Sequence, residues 1–255
     1  MTDSPALSAP AAPTLGLFIA FEGGDGAGKS TQAALLAKAL SDAGRTVLRT
    51  REPGGTPVGE KLRSLVLDHG QGEIDARTEA LIFAAARAAH ATQVISPAVA
   101  RGEIVISDRY ADSSIAYQGV GRGLGASAIE KLNDWATGGL WPDLTVLLDV
   151  SPAAGRERRT AGEAAEDRME SEPDGFHAAI RAAFLERAAA TPERYLVLPA
   201  DGAIDTLALA IAERVAMLLS EHGDGAGLSG LSGLSGLSGL SGHANHANHA
   251  NQERA

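Results

Sequence analysis

Residues 23–30 read GGDGAGKS, match G-x-x-x-x-G-K-[ST], and follow directly on the apolar run LGLFIAFE. An apolar strand that feeds a glycine-rich loop and then a helix beginning Thr31-Gln32 is the context in which this motif cradles phosphate. Gly23, Gly26 and Gly28 let backbone N–H groups converge on phosphate oxygens without a Cβ in the way, and the helix N-terminus adds its positive dipole end. The candidate nucleotide-binding stretch is therefore Gly23, Gly24, Asp25, Gly26, Ala27, Gly28, Lys29, Ser30 and Thr31. Lys29 is placed to reach the β- and γ-phosphates and Ser30 to ligate Mg²⁺, so ATP or GTP is the expected ligand.

Four more apolar runs, TVLRT, EIVISD, LTVLLDV and RYLVLPA, alternate with longer helical stretches at 29–43, 75–100, 126–138, 173–191 and 204–220. Strand-helix alternation of this kind builds βαβ units. The expected class is α/β, a P-loop NTPase-type three-layer sandwich with a central parallel five-stranded sheet flanked by helices. Residues 15–221 form the expected catalytic domain, with a lid at about 155–172. The Ala-, Pro- and Ser-rich residues 1–14 read as a disordered leader. Residues 222–255 hold five Leu-Ser-Gly and three His-Ala-Asn copies, the composition of a low-complexity tail, with loose metal binding by His243, His246 and His249 as the alternative.

A net charge of −10 repels nucleic acid and anionic membranes at long range, so any phosphate site must be a local basic cluster. There is no cysteine, which removes disulfides and thiolate metal sites. No apolar run approaches the ~20 residues of a membrane span, and the expectation is a soluble cytoplasmic protein.

A switch GTPase carries an N-K-x-D element, which this chain lacks. A kinase acting on a second nucleotide needs instead cations that hold an acceptor phosphate in line, and a cover that excludes water. Candidates follow the strands. REPGGT after the second strand offers Arg51, Glu52 and Pro53. SDRY ends the third strand with Asp108, the acid that would orient Mg²⁺, and Arg109, which can clamp a phosphate. Phe83 and Arg87 lie four apart on one helix face, where a ring and a guanidinium could hold a base. Arg156, Arg158, Arg159 and Arg168 concentrate positive charge after LTVLLDV, either as a mobile cover over ATP or as a solvated helix laced with ion pairs.

In the order FIAFEGGDGAGKST, TREPGGT, LIFAAAR, SDRY with DSSIAYQG, LLDVSP and DRME with DGFHAAI, the chain resembles the thymidylate kinases across residues 15–220. The resemblance implies transfer of the γ-phosphoryl of ATP to dTMP, giving dTDP and ADP for dTTP synthesis, with Mg²⁺, in a cytoplasmic homodimer that binds neither nucleic acid nor membrane. It implies that Asp25 lies near the acceptor sugar and phosphate, that Phe83 stacks on thymine and that Arg87 bonds its carbonyl. Arg109 would hold the dTMP phosphate, Tyr117 would crowd the 2′ position, and Ser113, Ser114 and Gln118 would line the base pocket. Gly26 stands where some members place an arginine, so the likeness is to the bacterial subtype with lid arginines, to which Arg158 and Arg168 align best. The lid is one residue longer than the family pattern around 160–166, which leaves Arg156 and Arg159 without an assigned role. A kinase for dUMP, dCMP or AMP and a nucleotide-dependent regulator remain the competing readings.

Overall fold

The computed structural model describes residues 16–161 and 167–221. The leader at 1–14, the repeats at 222–255 and the middle of the expected lid, 162–166, lie outside the described residues.

Strand β1 (Leu17–Glu22) is buried along its whole length. Leu17, Ile19 and Phe21 join one apolar cluster and Phe18 and Ala20 another, so the strand is covered on both faces and has to be apolar throughout. The remaining strands are β2 (Val47–Arg51), β3 (Ile104–Asp108), β4 (Leu144–Asp149) and β5 (Tyr195–Pro199). They hydrogen-bond in the order β2-β3-β1-β4-β5, every pair parallel. These are the five apolar runs read from the sequence, and the three-layer expectation holds.

Helices connect the strands: α1 (Lys29–Asp42), α2 (Pro57–Leu67), α3 (Ala76–His90), α4 (Ser96–Ala100), α5 (Ala111–Ser114), α6 (Ala126–Thr137), α7 (Pro152–Thr160), α8 (Asp174–Ala190) and α9 (Ile204–Glu221). Leu36 and Leu40 of α1 and Ile211, Val215 and Leu218 of α9 cover one sheet face. Ile180 and Phe184 of α8 and Ala98 of α4 pack on the other side.

The helix expected over 75–100 is interrupted: α3 passes through a π-helical turn, Ala91–Ile95, into α4. A second π-helical turn, Ile115–Gly121, continues α5 and carries Tyr117 and Gln118. The sequence reading assigns no element to 57–67, where the structure has α2. Thr56 caps that helix by accepting from Gly59 N–H at 2.9 Å, and Pro57 occupies its first turn, where it loses no hydrogen bond.

Register places the functional segments. Phe21 and Arg51 both pair with Asp108, so the residues that follow β1, β2 and β3 emerge side by side at the carboxyl edge of the sheet. β1 lies between β3 and β4, and the chain leaves it toward the β2 side, which makes this edge the topological switch point where open α/β sheets bind ligands.

Candidate active site

The loop after β1 is built from backbone that only glycine tolerates. Gly23 has φ +133, and a Cβ there would lie 2.3 Å from Leu148 O; Gly26 has φ +80, and its Cβ would lie 2.4 Å from Gly155 O. Lys29 folds back over the loop, donating to Gly23 O at 3.1 Å and Gly24 O at 2.9 Å. Burial and the neighbouring Arg109 both lower the hold of Lys29 on its proton, and Asp25 at 3.9 Å works against them. Ser30 Oγ donates to Asp108 Oδ2 at 2.5 Å, so the two expected metal ligands present adjacent hard oxygen donors.

Arg109 links this loop to a cavity. It is a non-glycine residue at φ +70, a conformation that costs about 1–3 kcal/mol and persists where surroundings enforce it. Its guanidinium donates to Gly23 O and to Ser113 Oγ, each at 3.1 Å, forms an ion pair with Asp25, and lies 5.3 Å from the Tyr117 ring centre. Burial opposes ionisation of Asp25, but Arg109 and Lys29 outweigh it and hold the carboxyl well below the usual range. Tyr117 donates its hydroxyl to Asp25 Oδ2 at 3.1 Å, and burial pushes that phenol above its ordinary value.

The cavity measures ≈ 160 Å³, opens to solvent, and is lined by Asp25, Glu52, Pro53, Phe83, Arg87, Arg109, Ser113, Ser114, Tyr117 and Gln118 among the expected residues. Arg87 is buried beneath it and makes four hydrogen bonds, to Glu52, Ser114, Asn133 and Tyr110 O. A guanidinium has five N–H groups, so one is left outside these four bonds. Glu52 is held on its other oxygen by His90 Nδ1 at 2.9 Å, and the far side of that ring meets Thr50 Oγ1 at 2.6 Å. Gln118 donates to the buried Glu79 at 2.9 Å, which fixes its amide against the cavity wall.

The comparisons decide the family. A thymidylate kinase family model matches residues 21–211. A thymidylate kinase of Leifsonia xyli subsp. xyli is 51% identical over 200 residues, covering 78% of this chain and 94% of that protein. One of Clavibacter sepedonicus is 50% identical over 205 residues, covering 80% and 97%. The crystal structure of thymidylate kinase from Ehrlichia chaffeensis superposes with a TM-score of 0.64 at 34% identity, covering 79% of this chain and 99% of that one.

This chain belongs to the thymidylate kinase family.

Within that thymidylate kinase frame, several expected residues lie away from the cavity. Arg51 is exposed and bonds Glu60 at 2.9 Å. Arg156 pairs with Asp174 at 2.9 Å, toward α8. Arg158 donates to Ala200 O at 3.0 Å and, at 3.4 Å, to Gly26 O of the loop. Arg168 is not brought to the loop: it donates to Val66 O at 2.8 Å and to Glu79 at 2.6 Å, tying the C-terminal part of the expected lid to α2 and α3. Sequence reasoning missed Arg63, Leu67, Asp167, Met169 and Glu170, which complete the lining. Arg63 and Leu67 sit on α2, the helix left unread. Leu67 to Arg63 is one helical turn, a spacing that would have shown both on one face had Thr56-Pro57 been taken as a helix start.

Proposed function

We propose that the cavity is the dTMP site and the glycine-rich loop the ATP site, with the γ-phosphoryl transferred in line between them. Membership of the thymidylate kinase family makes the chain a kinase that converts dTMP to dTDP with ATP. The observation that carries the placement is Arg109, which bonds the loop at Gly23 O and Asp25 while lining the cavity.

In this reading an oxygen of the dTMP phosphate attacks the γ phosphorus, and the bond to the bridging oxygen of ADP breaks. The acceptor is already an anion at neutral pH, so positioning and charge neutralisation carry the rate. Lys29 leaves its loop carbonyls for the β- and γ-phosphates, Arg109 turns from Asp25 to the acceptor phosphate, and Arg158 supplies a cation from α7. Phe83 stacks on the base and the spare N–H of Arg87 donates to its carbonyl; cytosine would oppose an amino group there. Asp25 and Tyr117 face the sugar. Arg168 holds the segment that roofs the cavity. Ser30 and Asp108 fit Mg²⁺, which takes one or two protein oxygens and completes its shell with substrate phosphates and water. When bound it would screen phosphate charge.

The kinase domain spans about residues 15–221 with a lid at about 155–172. Leu65 of α2, Leu81 of α3 and Trp135 of α6 are large apolar side chains left exposed, which supports a homodimer through these helices. Among the described residues no helix is long and apolar enough to cross a membrane.

Substitution separates the two sites. Arg109→Ala and Phe83→Ala are each expected to raise KM for dTMP by about 10- to 100-fold, the weight of one charge-assisted hydrogen bond or one stacked ring, with KM for ATP moving far less. Equal loss toward ATP contradicts the placement.

A further inference from the structure

Glu22, the last residue of β1, is completely buried and, among the described residues, makes no direct ion pair, although the charge of Arg109 acts on it from farther off. A buried carboxylate whose direct hydrogen-bond donors are all neutral is costly, and the nearby charge of Arg109 offsets only part of that cost. Its donors all belong to the segment after Arg109. Glu22 Oε1 accepts from Tyr110 N at 2.8 Å and Ser113 N at 3.1 Å, and Oε2 accepts from Ser113 Oγ at 2.6 Å.

Ser113 Oγ in turn accepts from Arg109 NH1 at 3.1 Å. A hydroxyl has one hydrogen, and an ionised carboxylate can only accept. The Ser113 hydrogen therefore points at Glu22, and its lone pairs are left for the guanidinium. The neighbouring acid, Asp112, does not compete, because Arg187 at 2.7 Å and Arg194 at 3.1 Å occupy it.

We infer that Glu22 is a positioning residue for the acceptor phosphate, orienting Arg109 through the Ser113 hydroxyl and fixing the backbone on the far side of the left-handed Arg109. This rests on Arg109 being the dTMP phosphate clamp.

Burial, aided by Asp112, raises the Glu22 pKa to about 7, so the test belongs at pH 8, where the carboxylate is ionised. Glu22→Gln keeps the shape and can still accept from Tyr110 N and Ser113 N. Its amide N–H, however, faces the Ser113 oxygen and turns the hydroxyl hydrogen toward Arg109, donor against donor. Steady-state kinetics with dTMP varied at saturating ATP, and the converse, would be compared for wild type, Glu22→Gln, Ser113→Ala, the double variant and Arg109→Ala. Glu22→Gln is expected to raise KM for dTMP by about tenfold, the scale of one hydrogen bond to a charged group, with kcat and KM for ATP within about threefold. Ser113→Ala should give a similar rise, and adding Glu22→Gln to it little more.

An unchanged KM for dTMP in Glu22→Gln, a parallel rise for ATP, or a full multiplicative effect in the double variant overturns the inference. Should Glu22→Gln fail to fold, Ser113→Ala decides alone: a KM for dTMP like that of wild type removes the relay. Arg109→Ala separates the two readings. If it leaves KM for dTMP unchanged the clamp itself is wrong, whereas if it raises KM and Glu22→Gln does not, only the role of Glu22 falls.

Discussion

Lys29 and Arg109 lie within reach of one partly buried carboxylate, Asp25, and the protein holds this charge cluster together before any phosphate arrives. Bound phosphates would take over the anionic role, so each cation has a partner in either state. Replacing Lys29 with Ala removes its bonds to two loop carbonyls and its ion pair with Asp25 at 3.9 Å, while Arg109 still holds that carboxylate. It is expected to lower kcat by at least about 100-fold while shifting Tm by no more than about 4 °C. Near-normal turnover, measured by coupled ADP release, contradicts the role of Lys29. Glu22 makes a prediction of opposite kind. Its pKa is about 7 when folded against an ordinary 4.5, so between these values the folded protein holds a proton that the unfolded chain has released. Stability then falls as pH rises through that window and levels off above it. Glu22→Gln has no such proton, and its Tm relative to wild type should become more positive from pH 5 to pH 8; a pH-independent difference contradicts this. Residue types and spacings made Lys29, Arg109 and Phe83 legible, because local motifs carry them. The occupation of Arg87 by Glu52, Ser114 and Asn133 was not legible, since its partners come from three distant segments.

Among the elements, the approach of α7 to the phosphate loop is set by two glycines. A Cβ on Gly155 would lie 2.5 Å from Asp25 O, and one on Gly26 would lie 2.4 Å from Gly155 O. Backbone meets backbone here, which gives the physical reason that position 26 has no arginine. In the proposed function the cation for the transferring phosphoryl comes from α7, where Arg158, three residues beyond Gly155, donates to Gly26 O at 3.4 Å. Gly155→Ala must push α7 from the loop or distort it. The expected result is a fall in kcat of about tenfold or more with a destabilisation of about 1–3 kcal/mol, read by kinetics and denaturant melts. Wild-type kinetics in this variant contradicts the close packing. Strands β1, β3 and β4 were legible because a run buried on both faces is apolar whatever its partners, and the half-exposed edge strands β2 and β5 because of their Val and Leu residues. Helix α2 and the break in the 75–100 helix were not: Gly54 and Gly55 masked the Thr56 cap, and a π-helical turn leaves no apolar period of its own.

Across the whole molecule, a parallel sheet brings three sequence-distant segments to one edge, and the order β2-β3-β1-β4-β5 sets the loop that follows β1 beside Asp108 and Arg109. That convergence follows from alternation and handed crossovers, so architecture was readable from pattern alone. The destinations of the arginines after β4 were not, because an exposed arginine finds its partner only once the chain is folded. Arg158 reaches the phosphate loop and Arg168 reaches Glu79, though both stand in one basic stretch. The central claim is that one cavity selects dTMP and one loop delivers the phosphoryl. It is tested most directly by coupled ADP release with Mg·ATP and dTMP, dUMP, dCMP, dGMP or AMP as acceptor. A strong preference for dTMP is expected, with dCMP strongly disfavoured by the Arg87 N–H. Preference for another monophosphate, or ADP release indifferent to acceptor, would contradict it.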